Sequence, residues 1–216
     1  MPGALHDGRS TAGEGECRER AGKSNLLDLG RSIVPTRGYR LRAARASDVE
    51  TLLDHRHRMF SAIGGRTEEQ IATHDRRYRR WLLVRLRRGE LVGQIAETRR
   101  GEAAASGCIW YRPEQPRPES SERDVAPYIL SMFTAPVHRG HGLASRIARA
   151  LIADAKRRGY GQVILHASPQ GRSVYARLGF ERRWEMRYWI DPAARVAWKR
   201  QRPAQKGTRA RRAVRR

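Results

Sequence analysis

The sequence predicts a single mixed α/β domain, and three stretches carry that expectation. An apolar segment, Pro127 to Thr134, leads through a glycine-bearing turn into an amphipathic helix. That helix, 141–158, puts Leu143, Ile147, Ala150, Leu151 and Ala155 on one face and ends at Gly159. Gln162 to Ala167 reads as a strand ending on Ser168-Pro169, a serine cap with proline in the first helical turn. Residues 90–98 and 103–111 read as a hairpin turning at Arg100-Gly101. A hairpin followed by strand, helix, strand and helix is a mixed α/β order.

The other elements follow in chain order. Tyr39 to Ala43 is a first strand. Ser47 caps a helix, and Glu50 three residues on completes a capping box. Val49, Leu52, Leu53, Arg56 and Phe60 continue at helical spacing. Thr67 and Gln70 mark a second capped start, with that helix running to Arg87 before Gly89. Residues 112–124 form a loop with three prolines. The last helix reaches Leu178 and stops at Gly179, and Phe180–Trp184 and Met186–Ile190 are expected as closing strands.

Composition divides the chain into three. Residues 1–37 lack a sustained apolar period and read as a disordered leader; 38–194 are the folded domain; 195–216 read as a disordered basic tail. The net charge of +23 is spread as +1, +12 and +10 over these segments. Such a surface attracts polyanions: nucleic acid, anionic lipid, or a ligand with several phosphates. Any contact of the tail with nucleic acid is expected to be sequence-independent. No run of about eighteen apolar residues exists, so no membrane span is expected. With no secretory signature at the N-terminus, the expected location is cytoplasmic. Cys17 and Cys108 are expected to be unpaired, and no Cys/His spacing suggests a metal.

The chemistry concentrates in Arg139-Gly140-His141-Gly142-Leu143-Ala144. A helix N-terminus carries unpaired N–H groups and partial positive charge. Glycines there let the backbone approach an anion, and Arg139 adds a full charge suited to phosphate. The lysine of a P-loop and the third glycine of a dinucleotide fingerprint are both missing. The turn alone says only that it can hold an anion, or merely join strand to helix.

Read as Arg-x-x-Gly-x-Ala over Arg139, Gly142 and Ala144, the turn resembles the acetyl-CoA-binding motif of the GCN5-related N-acetyltransferases. The strand before it and the run Tyr175-Ala176-Arg177-Leu178-Gly179-Phe180 after it, similar to the family's Tyr-x-x-Leu-Gly-Phe, extend the resemblance over about 39–190. It implies an acyl-CoA N-acyltransferase fold: a mixed, mostly antiparallel sheet splayed between strands 4 and 5, with flanking helices. It implies that Met132, Phe133 and Thr134 offer backbone groups to the pantetheine arm. Arg139, Gly140, His141, Gly142, Leu143 and Ala144 would wrap the pyrophosphate, with Ser168 and Arg172 as further cofactor contacts. A backbone N–H near Met132 or Phe133 would hold the oxyanion.

The implied activity is acetyl transfer from acetyl-CoA to a primary amine by direct attack in a ternary complex, without a metal. Tyr175 would protonate the departing thiolate; packing against the sheet with Val174 and Leu178 is its other reading. The alternative function is a basic nucleic-acid-associated protein carrying a CoA-binding domain without robust turnover. The acceptor, a small molecule or a protein amine, is unspecified, and a homodimer is in keeping with the resemblance. Glu97, Tyr111 and Asp124 are positional candidates for a general base; His166 and Cys108 read as core. Trp81 and Trp110 are either core or lining of the acceptor pocket. His55, Arg56, His57 and Arg58 favour an acceptor with a carboxylate or phosphate.

Overall fold

The computed structural model describes residues 38–116 and 124–183, with positions 186, 188, 190 and 196 beyond them. The expectations for 1–37, and for 195–216 apart from Val196, lie outside the described residues. Strand β1 (Tyr39–Ala43) is followed by a 3-10 turn (Ala46–Asp48) and helices α1 (Val49–Ile63) and α2 (Glu68–Arg88). Strands β2 (Leu91–Thr98), β3 (Ala103–Pro113) and β4 (Val125–Thr134) come next. A second 3-10 turn (Pro136–His138), α3 (Leu143–Arg157), β5 (Ile164–Leu165) and α4 (Arg172–Ala176) complete the order. The sheet order is β1-β2-β3-β4-β5, antiparallel except for the parallel β4–β5 pair. No helix among the described residues is long and apolar enough to cross a membrane.

Successive side chains on a strand point to opposite faces, and here both faces are covered. Leu91, Ile95 and Cys108 face one way and pack with Val49, Leu52 and Leu82 of α1 and α2. Ala96, Ile109 and Tyr111 face the other way and meet Leu143, Ile147 and Leu151 of α3. That double burial is why β3 reads Ala-Ala-Ala-Ser-Gly-Cys-Ile-Trp-Tyr, with no polar face. Ile147 and Leu151 are fully buried, and each such side chain contributes about 1.5–3 kcal/mol. Cys108 is core as expected, and burial pushes its thiol up to about 12.

Local chemistry bears out several boundaries and corrects others. The Thr67 hydroxyl accepts from the Gln70 N–H at 3.2 Å, while the Gln70 side chain accepts from the Thr67 N–H at 3.0 Å, closing the capping box of α2. Ser47 does not cap α1. The Asp48 carboxylate accepts from the Arg45 N–H at 2.7 Å and from Arg42 at 2.8 Å, so the chain enters through a 3-10 turn. After Ser168 the chain makes a tight turn before the helix: the Gly171 N–H reaches both the Ser168 carbonyl and its hydroxyl, the Arg172 N–H reaches the same carbonyl, and α4 has only five residues. Gly179 stops it at φ +88°, with the Phe180 N–H reaching back to the Tyr175 carbonyl. Phe180–Arg183 form no strand beyond this reversal; Trp184 and much of 186–190 lie outside the described residues.

Two irregularities in the sheet position the site. β5 is two residues long instead of six, because it pairs with β4 only at Tyr128–Ile164 and Ile129–Leu165. Among the described residues, no strand covers the outer edge of Leu130–Thr134. In addition, β4 bulges against β3: Cys108 pairs with Leu130 but Ser106 pairs with Phe133. Ser131 takes up the extra residue at φ +51°, a left-handed conformation rare for a serine. The bulge folds Met132 over Gly107, where a Cβ would collide with the Met132 sulfur and lie 2.9 Å from Ile147. A side chain there would have to displace the Met132 thioether and press on Ile147.

Candidate functional site

A cavity of about 1710 Å³ opens where β4 and β5 part. Its floor is the uncovered edge of β4, Leu130 to Thr134. Side chains and backbone here face different ways. Phe133 is buried, with its ring 4.8 Å from that of His55, and Met132 lies on Gly107. Their backbone is therefore what they can offer a ligand, as a bulge with displaced N–H groups does.

Next along the wall is the turn into α3. Gly140 and Gly142 hold φ of +82° and +69°, which glycine adopts without strain. Gly142 is the cap of α3, and Gly140, Gly142, Leu143, Ala144 and Ser145 line the cavity. Arg139 lines it too, its Nε donating to the Thr134 carbonyl at 3.3 Å. His141 is turned away: its ring packs 5.5 Å from Tyr39 and does not line the cavity. The Tyr39 hydroxyl also pairs with His138 Nδ1 at 3.0 Å, so β1 braces the turn from behind.

The opposite rim is the β5–α4 connection. Ser168, Arg172 and Tyr175 all line the cavity. Tyr175 sits edge-on to Phe180 at 5.7 Å, and burial pushes its phenol up to about 12. It is a neutral O–H at ordinary pH, and burial makes it a weaker acid than a free phenol.

The acid–base candidates resolve differently from expectation. Glu97, Tyr111 and Asp124 do not line this cavity. Glu97 accepts from Arg40 at 3.0 Å and Arg42 at 2.6 Å, and the Arg42 bond holds its carboxyl below the usual range. The Tyr111 hydroxyl donates to Asp154 at 2.6 Å beneath Arg158. His166, expected inside a strand, lies just past the shortened β5 and lines the cavity. Its Nδ1 is 2.6 Å from the Tyr128 hydroxyl, another lining group. Sequence periodicity hides this pair, because it arises from where β5 ends.

On the α1–α2 side, Met59, Phe60, Tyr78, Trp81 and Trp110 line the cavity with Arg56, Arg66 and Arg77. Of the four basic residues singled out on α1, only Arg56 reaches it. His55 is buried, with Nδ1 2.8 Å from the Ser106 hydroxyl; His57 sits between Asp75 and Glu68; Arg58 pairs with Asp54. Trp81 and Trp110 meet edge-to-face at 5.1 Å and belong to both core and cavity.

The comparisons with known proteins agree with this geometry. The acetyltransferase (GNAT) family matches residues 49–180. A GCN5-related N-acetyltransferase from Ralstonia eutropha JMP134 superposes with a TM-score of 0.65 at 30% identity, over 71% of this chain and 99% of that one. A predicted acetyltransferase with acetyl-CoA from Clostridium acetobutylicum superposes with a TM-score of 0.61 at 27% identity, over 71% and 94%. The aminoglycoside N-acetyltransferase AAC(6')-Iy in complex with CoA shares the fold at 16% identity and a TM-score of 0.53, over 71% and 95%. No curated protein matches the chain.

Proposed function

The chain belongs to the GNAT family of acetyltransferases, and from that premise we propose that it transfers an acetyl group from acetyl-CoA to a primary amine in a ternary complex. The observation that carries this reading is the adjacency, in one cavity, of an uncovered strand edge and an anion-binding helix start. A pantetheine arm has amides that can pair with the edge of Leu130–Thr134. Its pyrophosphate suits the N–H groups of Gly140–Ser145 and the charge of Arg139. Among the described residues, no Asp or Glu lines the cavity to oppose that charge.

The catalytic roles follow from the same lining. A backbone N–H of the Met132–Phe133 bulge holds the thioester oxygen as it gains negative charge. The amine attacks the carbonyl carbon, forming the C–N bond. Its proton passes to the Tyr128 hydroxyl, which hands its own proton to His166 Nδ1 across their 2.6 Å contact. The C–S bond breaks, and Tyr175 gives its proton to the departing sulfur.

The test is acetyl-CoA-dependent thiol release with a panel of amines. Wild-type protein should turn over at least one amine and be stabilised thermally by millimolar acetyl-CoA. Tyr175→Phe should lower kcat by about 100-fold while the acetyl-CoA KM changes little. Absence of any stabilisation by acetyl-CoA would remove the cofactor assignment.

A further inference from the structure

The cofactor leaves one group of cations in the cavity without a role. Arg139, Arg172 and Arg177 lie on the α3 and α4 rims, but Arg56, Arg66 and Arg77 come from the α1–α2 side. Arg56 is the most constrained. Its Cζ lies 3.8 Å from the Tyr78 ring centre and 4.6 Å from that of Phe60, and its side chain is 17% exposed. Its nearest carboxylate, Asp75, is 3.8 Å away, beyond hydrogen-bonding distance, and gives its other oxygen to His57 at 2.8 Å. No hydrogen bond is made by the Arg56 guanidinium among the described residues. Burial lowers its pKa from the ordinary arginine value. Arg66 packs 4.9 Å from the Phe60 ring, and neither Arg66 nor Arg77 has an ion pair among the described residues.

A guanidinium whose face lies on aromatic rings keeps its N–H donors in its plane, along its edge. That edge matches the two oxygens of a carboxylate. The rings that hold Arg56 also form an apolar wall with Trp81 and Met59. A polycationic acceptor would meet like charge here. We propose that the acceptor is an amine carrying a carboxylate on an apolar or aromatic body. Arg56 receives the carboxylate, Arg66 and Arg77 supply supporting positive field, and Phe60, Tyr78 and Trp81 cover the body. This inference rests on the acetyltransferase reading and specifies its substrate class.

The test compares matched acceptors with saturating acetyl-CoA, reading thiol release. L-phenylalanine, L-leucine and 4-aminobutyrate are each set against their primary amides, with spermidine as the polycation. At least one acid should exceed its amide in kcat/KM by roughly 10- to 100-fold, the loss expected when a charged hydrogen-bond partner is removed. For the α-amino acids the intrinsic bias runs the other way, because the amide's amine deprotonates more readily. Arg56→Met should bring the acid-to-amide ratio near one, and Arg56→Lys should restore part of it. Acetyl-CoA should still stabilise both variants thermally. Equal turnover of acids and amides, preference for spermidine, or acetyl-CoA binding with no acid acetylated would overturn the inference. Failure of acetyl-CoA to stabilise the wild-type protein would instead overturn the acetyltransferase reading beneath it.

Discussion

The two limbs of the cavity are built from different materials. The limb assigned to the cofactor is mostly backbone: the outer edge of Leu130–Thr134, the bulge at Ser131, and the helix start at Gly142. The limb on the α1–α2 side is mostly side chain: Arg56, Phe60, Arg66, Tyr78 and Trp81. Backbone groups are fixed by the sheet and by helix capping, so they can recognise a shared cofactor without depending on particular side chains. Side chains on a helix face can change one at a time without disturbing the sheet, which is why acceptor choice is proposed to lie on that limb. The comparison predicts that damage to the first limb acts through conformation, whereas damage to the second acts through charge.

The largest effect expected on this contrast comes from Gly107. A valine there strikes Met132 and Ile147, and so attacks the β4 bulge from beneath without touching a ligand. Overpacking of this kind costs about 3 kcal/mol. Gly107→Val should lower the unfolding free energy read from urea titration by that margin and abolish stabilisation by acetyl-CoA. A variant that is destabilised yet keeps its full response to acetyl-CoA would show that the bulge does not hold the cofactor.

Next is the Tyr128–His166 pair, both members of which line the cavity. Tyr128→Phe and His166→Gln should each lower kcat by about 100-fold, and the double variant should be little worse than either single one. Additive losses would mean that the two act separately.

How much of this was legible in the sequence follows the same division. The Gly140–Gly142 turn, the Thr67 cap and the Gly179 stop are local, so residue type and spacing disclose them. The fold class and the resemblance rest on such local signals. The Ser131 bulge gives no signal, because serine has no preference for φ of +51° and the constraint lies in Gly107 on a neighbouring strand. His166 reads as core because periodicity carries the strand from Gln162 to Ala167, whereas β5 starts two residues later and ends two residues earlier, at Leu165, where β4 turns away. Of the four basic residues that follow one another on α1, the sequence does not say which one faces the cavity. One helix turns His55 to Ser106 on the sheet, His57 to Asp75 and Glu68, and Arg58 to Asp54 and the Phe133 ring, and only Arg56 lines the cavity.

A smaller effect is expected at Gly142. Alanine at φ +69° costs about 1–2 kcal/mol in that conformation. No atom lies within 4 Å of the added Cβ, so the change is conformational and not a clash. Gly142→Ala should raise the acetyl-CoA KM by roughly 10-fold while leaving the ratio between acceptors unchanged. A shift in acceptor preference would show that the limbs are not separable.

The smallest effect tests the side-chain limb through pH. His57 joins α1 to α2: its Nδ1 lies 2.8 Å from Asp75 and its Nε2 2.6 Å from Glu68. Both carboxylates favour the charged imidazolium and raise its pKa above the ordinary 6.5, Asp75 most. Ser61 holds Glu68 from the other side, and Arg56 faces Asp75 at 3.8 Å. Since the folded-state pKa is the higher one, the stabilisation is fully present below pH 6.5 and is lost as pH rises through the raised value. His57→Gln should therefore melt lower than wild type at pH 5.5, by roughly 2 °C, with the gap closing toward pH 9. The stabilisation added by acetyl-CoA should be the same for both proteins across that range, because no part of the His57 link touches the β4 edge or the Gly142 turn. A gap that persists at pH 9 would mean that His57 holds the helices by packing and not by charge.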